Sequence, residues 1–346
     1  MLNNWERWDM RCLGNAPLWE KNPEHDDEKG KEHWRSLRIR DTDNPEERPG
    51  FVGASAVPVI LGAAGSYEGV TSLWAKTLGR YREEFRGEHL KTMNMGHILE
   101  APAMDEFRRV LKYDMGELFA TADLFQWTVA HPTKEHFKVT PDGVCNINGK
   151  EGLVEIKYTE FDRDGSWSFL RHKGEIKPES KVERHWLQIQ AQLCVTGLDY
   201  AFLVGIVGAR TALHLTHGLG AGDDFVVFRV EKDKKMISLI EKEVDKFWGY
   251  VESGEMPKPT HYKDDAALRK LLPRAKAGSV LHSEDAKELV QEARKMKKDL
   301  SEIRKKYEEV KAEIRHVMQD AESLDVGVGK PVTWKENSKG KRMLQI

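Results

Sequence analysis

At 346 residues, with 39% hydrophobic and 32% charged side chains, the chain can bury one large core or two modest ones. Its net charge of −2 supplies no global pull toward a polyanion, which speaks against a DNA-coating protein but not against an enzyme with a locally basic cleft. No stretch approaches the ~20 apolar residues of a membrane helix, and Cys12, Cys145 and Cys194 lie far apart with no CxxC, which argues against a disulfide framework, a structural zinc site or a four-cysteine cluster.

The first 47 residues are polar and charge-rich, yet hold Trp5, Trp8, Trp19 and Trp34, four of the ten tryptophans. The polar start, Met1 to Arg7, does not read as a secretory signal, and the expected compartment is the cytoplasm. From 48 to 259 the pattern mixes helix and strand. Thr71 to Gly79 reads as a short helix capped by Thr71. Leu99, Ala103, Phe107 and Val110 recur at helical spacing and predict a helix over about 95–111, with a kink or a late start at Pro102. Val139 to Ile147 and Gly152 to Tyr158 are strand-like, and Asn148-Gly149 between them is a hairpin signal. Val182 to Thr196 reads as a helix stopped by Gly197, Tyr200 to Val207 and Phe225 to Val230 as strands, and Met236 to Val251 as a closing helix. This order predicts an α/β (α+β) fold with a central mixed β-sheet flanked by helices.

Chemistry concentrates in three places: Glu100, then Pro141-Asp142-Gly143, then Glu155-Ile156-Lys157. Carboxylates carried on adjacent strands, such as Asp142 and Glu155, can meet over one hard cation, magnesium or manganese. The period of two puts Glu155 and Lys157 on one face, while Ile156 points to the core with its carbonyl free to turn toward the metal. A lysine there can orient or deprotonate a metal-bound water. Glu100 would add an oxygen ligand or position a second metal. The Glu-x-Lys spacing occurs four times in the chain, so alone it says little; only this copy follows a Pro-Asp-Gly in an apolar strand pattern. On the helix over 182–196, His185, Gln188 and Gln192 form a polar stripe beside an apolar one of Trp186, Ile189 and Leu193. That stripe is either surface or the wall of a polar cleft.

Between Lys157 and Val182, Arg163, Trp167, Phe169, Arg171, His172 and Lys173 interleave aromatic and basic side chains, as a single-strand platform or an ordinary loop would. His214 and His217, near three glycines and without a third ligand, read as loop residues. After the Pro257/Pro259 break, residues 260–346 form a helical arm. Leu289, Ala293, Met296, Leu300, Ile303, Tyr307, Val310, Ile314 and Val317 alternate at spacings of four and three, a coiled-coil seam of about four heptads, with Ser283 as its N-cap. The seam either folds back on its own chain or joins a protomer or partner. The tail through Lys330, Lys339, Lys341 and Arg342 reads as a strand with a basic end, touching DNA or solvated.

The ordered set Arg48…Gly53-Ala54-Ser55-Ala56, Gly96…Glu100, Thr140-Pro141-Asp142-Gly143, Glu155-x-Lys157, and Gln188-x-Gln190 followed by Val195-Thr196-Gly197 resembles the lambda-exonuclease/YqaJ family of phage recombination nucleases, of the PD-(D/E)xK superfamily. The resemblance spans roughly 48–255. It implies that Asp142, Glu155 and the Ile156 carbonyl hold magnesium, that Lys157 and Gln188 handle the nucleophilic water, that Glu100 completes the acidic centre, and that Arg48 and Ser55 grip a terminal 5′-phosphate. The residues themselves say less of the last pair: an arginine fork suits phosphate, but Arg-Pro-Gly is a common solvated loop. The resemblance further implies 5′→3′ digestion of duplex DNA ends in a bacterial host cell, a single-strand annealing partner, and a homo-oligomeric, ring-shaped trimer. His185 stands where the family often has a tyrosine, and the Trp-rich leader is not expected from the resemblance. The rivals are another PD-(D/E)xK endonuclease or repair nuclease, an iron–sulfur version being opposed by the missing cysteines, and a catalytically idle DNA-binding scaffold.

Overall fold

The structure is a computed structural model that describes residues 19–21, 37–46, 49–82, 88–114, 119–123, 127–220, 222–274, 278, 280–327, 331–338 and 340–346. It divides into two compact units, Met1–Pro273 and Arg274–Ile346. The division falls after Pro273, not at the Pro257/Pro259 break where the sequence places the boundary.

In the first unit the chain runs β1 (Trp19–Lys21), β2 (Val52–Gly53), α1 (Val57–Ile60), α2 (Val70–Thr77), α3 (Glu88–Asp114), β3 (Phe119–Asp123), β4 (Trp127–His131), β5 (Lys134–Val139), β6 (Gly143–Ile147) and β7 (Lys150–Thr159). It continues with α4 (Ser166–Lys173), α5 (Lys181–Thr196), β8 (Tyr200–Val207), α6 (Ala209–Thr216), β9 (Phe225–Glu231), α7 (Lys234–Ser253) and α8 (Asp264–Leu271). A five-stranded sheet has the order β3-β6-β7-β8-β9, antiparallel except for β7 against β8. A four-stranded sheet has the order β1-β4-β5-β2, so part of the predicted N-terminal extension is a strand of this unit. The mixed α/β class expected from the sequence is the one observed.

Strand β7 is buried on both faces, and its alternation sorts the two cores. Val154 and Ile156 pack with Leu99, Ala103 and Phe107 of α3. Leu153 packs on the opposite side with Ile189, Leu193 and Val195 of α5 and with α7. Glu155 and Lys157 share the α5 side. The hairpin β6–β7 turns at Asn148 and Gly149, both at positive φ (52° and 78°), the conformation an Asn-Gly pair adopts most readily.

Several elements differ from expectation. The stretch 139–147 is two strands of different sheets: β5 ends at Val139, and Thr140-Pro141-Asp142 carries the chain across to β6. Proline cannot donate to a ladder, so the strand breaks there. Helix α3 passes through Pro102 and begins at Glu88, earlier than predicted. Thr71 is not the cap of α2; it lies inside the helix and donates to the Pro257 carbonyl (2.9 Å). The helix start is instead served from far along the chain: Asp264 Oδ1 accepts the Ser72 N–H (2.8 Å) and Thr260 Oγ1 accepts that of Val70 (3.0 Å). Gly69 is required there, because a Cβ would sit 2.0 Å from Asp264 Oδ2. The aromatic–basic stretch after Lys157 contains α4, whose Trp167 and Leu170 are core residues, and His214 lies within α6. Among the described residues no helix is long and apolar enough to cross a membrane.

The second unit holds α9 (Asp285–Met318) and the small antiparallel sheet β10 (Ser323–Leu324), β11 (Val332–Glu336) and β12 (Arg342–Gln345). Ser283 Oγ accepts the Ala286 N–H (3.3 Å), the predicted cap. Arg342 is engaged within the unit: its guanidinium donates to the carbonyls of Gln319, Ala321 and Trp334 and stacks on the Trp334 ring.

Candidate active site

Helix α5 carries half of the site because its sequence stops cleanly at both ends. Ser180 Oγ accepts the Glu183 N–H (3.2 Å), and Gly197 closes the helix at φ 76°. The helix packs between the two sheets, and its polar stripe, with His185 and Gln188 half-buried and Gln192 buried, is met largely inside.

It is met by Glu155. This carboxylate is 1% exposed, and Oε1 accepts from Gln188 Nε2 (2.5 Å) and from Lys157 Nζ, while Oε2 accepts from Gln192 Nε2 (2.6 Å). A buried charge left bare would cost several kcal/mol, and three donors converging on one carboxylate are what keep it here. The stripe is thus a cleft wall. Gln192 is the member that sequence reasoning left off the site; its signal was the i, i+4 relation to Gln188. Gln192 Oε1 is buried with no hydrogen-bond partner.

Asp142 stands at the crossover into β6, and its Oδ2 accepts the Ile156 N–H (2.7 Å). Burial first, then the negative charge of Glu155, push its pKa well above the ordinary carboxylate range; Glu100 adds to the push, and Lys157 and the Ile156 N–H oppose it. Burial works against the charge of Lys157, but Glu155 and Asp142 outweigh it and raise the pKa above that of ordinary lysine. Lys157 therefore holds its proton. His185 is neutral: burial, then Lys157 and Arg184, depress its pKa well below the usual value. Its ring lies 5.9 Å from that of Trp167, which covers Gly205 opposite Lys157. A Cβ on Gly205 would meet the Trp167 ring at 2.2 Å. Glu100 is half-buried on α3, with His97 Nδ1 3.0 Å from Oε1.

The predicted phosphate-binding residues fare differently. Arg48 lies outside the described residues. Ser55 is exposed on a 3-10 turn, Ala54–Ala56, that packs against α5. An arginine the sequence reading did not single out, Arg38, lies beside Gly53, 3.7 Å from where a Cβ would be, with its pKa lowered to about 10 by burial.

The donor set fits a divalent cation. Three carboxylates, Glu100, Asp142 and Glu155, are offset by one ammonium, and a cation would relieve the repulsion that raises the Asp142 pKa. Asp142 Oδ1 and the remaining lone pair of Glu155 Oε2 are oxygen donors suited to magnesium. The three are not drawn into one tight group, however. Among the described residues the His, Cys, Asp and Glu group with ligand atoms all within 4.8 Å is His131, Cys194 and Glu241. Two of the three, His131 and Glu241, are paired with each other. Burial first of all lowers the His131 pKa, and its Nδ1 accepts the Thr133 N–H (3.3 Å), so Nε2 carries the proton toward Glu241 Oε1 (3.3 Å). A cleft of about 810 Å³ lined by Glu106, Arg109, Arg171, His172 and Phe225 shares no residue with the acidic centre, and its Arg109 and Arg171 are paired with Glu106 and Asp224.

A buried acidic pair, a lysine two positions on and two amides gather around the middle strand of a mixed sheet. Residues 45–199 of the chain match the model of the YqaJ-like viral recombinase domain. Among solved structures, it is similar to an alkaline exonuclease (LHK-Exo) from Laribacter hongkongensis, at 24% identity over 69% of this chain and 98% of that one, with a TM-score of 0.43. It is also similar to a phage-related exonuclease from Haemophilus somnus 129PT, at 15% identity over 60% and 96%, with a TM-score of 0.42. No curated protein matches the chain.

Proposed function

We propose that the chain is a magnesium-dependent exonuclease that degrades double-stranded DNA from 5′ ends and leaves 3′ single strands for phage-type recombination by strand annealing. The observation that carries this reading is the Glu155 carboxylate, fully buried and held by Lys157, Gln188 and Gln192 beside Asp142. Asp142, Glu155 and the Ile156 carbonyl would hold the ion, with Glu100 completing the acidic centre; manganese would serve in its place. When bound, the ion would lower the pKa of a coordinated water and offset charge on the scissile phosphate. Lys157, which Glu155 and Asp142 keep protonated in the metal-free site, would orient the attacking water and the phosphate oxygen. Gln188 fixes the carboxylate and reaches toward the same water. Arg48 and Ser55 would receive the terminal 5′-phosphate, with the neighbouring Arg38 adding positive charge at that end of the cleft. The partners are duplex DNA ends, a single-strand annealing protein and further copies of the chain, a trimeric ring by family resemblance.

Digestion of duplex DNA labelled at either end, with magnesium, tests this. Label should leave the 5′-labelled strand first as mononucleotide, faster from a 5′-phosphate than from a 5′-hydroxyl. Internal cuts in a closed circle would replace the reading with an endonuclease, and loss from 3′ ends would reverse the polarity.

A further inference from the structure

Helix α9 carries a pattern that the nuclease reading leaves unused. Its seam runs from Leu289 to Val317 with Ala293, Leu300 and Tyr307 at a positions and Met296 and Ile303 at d positions. In the structure that seam is bare: Leu289 is 67% exposed, Leu300 66% and Ile303 62%. A long helix with one apolar stripe and an otherwise charged surface draws its stability from covering the stripe.

The flanking charges choose what covers it. The g positions are Glu292, Asp299, Lys306 and Glu313; the charged e positions, Lys297, Arg304 and Lys311, are all basic. In a parallel coil each g residue meets the e residue of the next heptad on the other copy. Glu292 then meets Lys297 and Asp299 meets Arg304, and Lys306 against Lys311 is the single like-charged meeting. Antiparallel pairing sets e against e and g against g, which brings Lys297 to Arg304 and Glu292 to Glu313, with Asp299 against Lys306 the single opposite-charged meeting. Opposite charges outnumber like ones in the parallel direction and are outnumbered in the antiparallel one. We infer that copies of this chain join through α9 as a parallel coiled coil. Leu300 followed by β-branched Ile303, with Val310 and Val317 at the next d positions, favours more than two strands. Parallel pairing starts every copy of the coil from the same end, so it tethers the nuclease units of one assembly to a common stem.

The test uses the full chain carrying Ala293→Cys, oxidised mildly and read on a non-reducing gel against the wild-type chain, whose described cysteines, Cys145 and Cys194, are buried. A parallel coil brings position 293 beside itself, so a covalent dimer forms several-fold faster than in wild type. Adding Leu300→Asp and Ile303→Asp abolishes it. Lys297→Glu with Arg304→Glu slows it at low salt, and Glu292→Lys with Asp299→Lys restores it. Three results would overturn the inference: cross-linking no faster than wild type, cross-linking that survives the Asp pair, or preferential pairing with chains carrying Val310→Cys, the position Ala293 would face in an antiparallel coil. None depends on DNA cleavage, so the test stands apart from the proposed activity.

Discussion

Helices α5 and α9 both carry long, regular stripes, and they end in opposite circumstances. In α5 the apolar residues Ile189 and Leu193 are buried in the core, and Gln188 and Gln192 of the polar stripe turn onto Glu155. In α9 the apolar stripe, from Leu289 through Ile303 to Val317, lies exposed. Periodicity tells which side chains share a face. What the face meets is decided by distant segments, or by another molecule. An inward polar stripe is worth building only around a group that needs it, and a bare apolar stripe is stable only if something covers it.

Changes inside the α5–β7 lattice should therefore be costly. The largest effect is expected at Lys157. Lys157→Ala should lower cleavage by about 10²–10³-fold, the scale of losing one preorganised donor. It should also destabilise the metal-free protein, because Glu155 is left buried without its counter-ion. Breaking such a pair costs up to about 3–5 kcal/mol, less the screening that the partly exposed ammonium already receives. Urea unfolding without metal checks this, and an unchanged midpoint would show that Lys157 does not hold Glu155. Next, Gln192→Leu removes the donor to Glu155 Oε2 and should cost about 1–3 kcal/mol in the same measurement, whereas Leu300→Asp on α9 should leave the unfolding of the nuclease unit in place.

A third expectation concerns the boundary. Asp264 is fully buried and serves the start of α2, so Asp264→Ala should cost about 1–2 kcal/mol. A chain ending at Pro273 should keep folding and cleavage, and one ending at Pro259 should lose stability with Asp264. Equal stability of the two truncations would contradict the placement of α8 in the nuclease unit. The smallest effect is a matter of pH. The folded-state pKa of Asp142 is raised, so its contribution to stability is present at low pH and is lost as pH rises through that value. Asp142→Asn, which can still accept the Ile156 N–H, should melt above wild type at pH 8 without metal. The gap should close toward pH 4. Magnesium should reverse the order by stabilising the wild type.

The sequence carried most of the five-stranded sheet, because alternation in 152–158, the Asn148-Gly149 turn and the unbroken apolar run of 200–207 are local signals. It also carried the shared face of Glu155 and Lys157, from a period of two, and Gln188 on a polar stripe, whose meeting with them only the family resemblance implied. The crossing from one sheet to the other at Pro141 was not readable, as Val139 and Gly143 look alike on either side of the break. Nor was the cap of α2, where a residue almost two hundred positions away does what Thr71 next door was expected to do. Trp167 was left open for a similar reason. Its aromatic–basic surroundings suit a nucleic-acid platform, but the small Gly205 opposite Lys157 opens a seat for it in the core.

The central claim is that the carboxylate buried on β7 exists to hold catalysis, not to hold the fold. The most direct measurement is single-turnover cleavage of end-labelled duplex by Glu155→Gln, with DNA binding followed in parallel by fluorescence anisotropy. The account predicts wild-type affinity for the duplex end, cleavage by the wild type with magnesium and none after chelation, and no cleavage by Glu155→Gln under either condition. A Glu155→Gln protein that degrades duplex ends at the wild-type rate would contradict it.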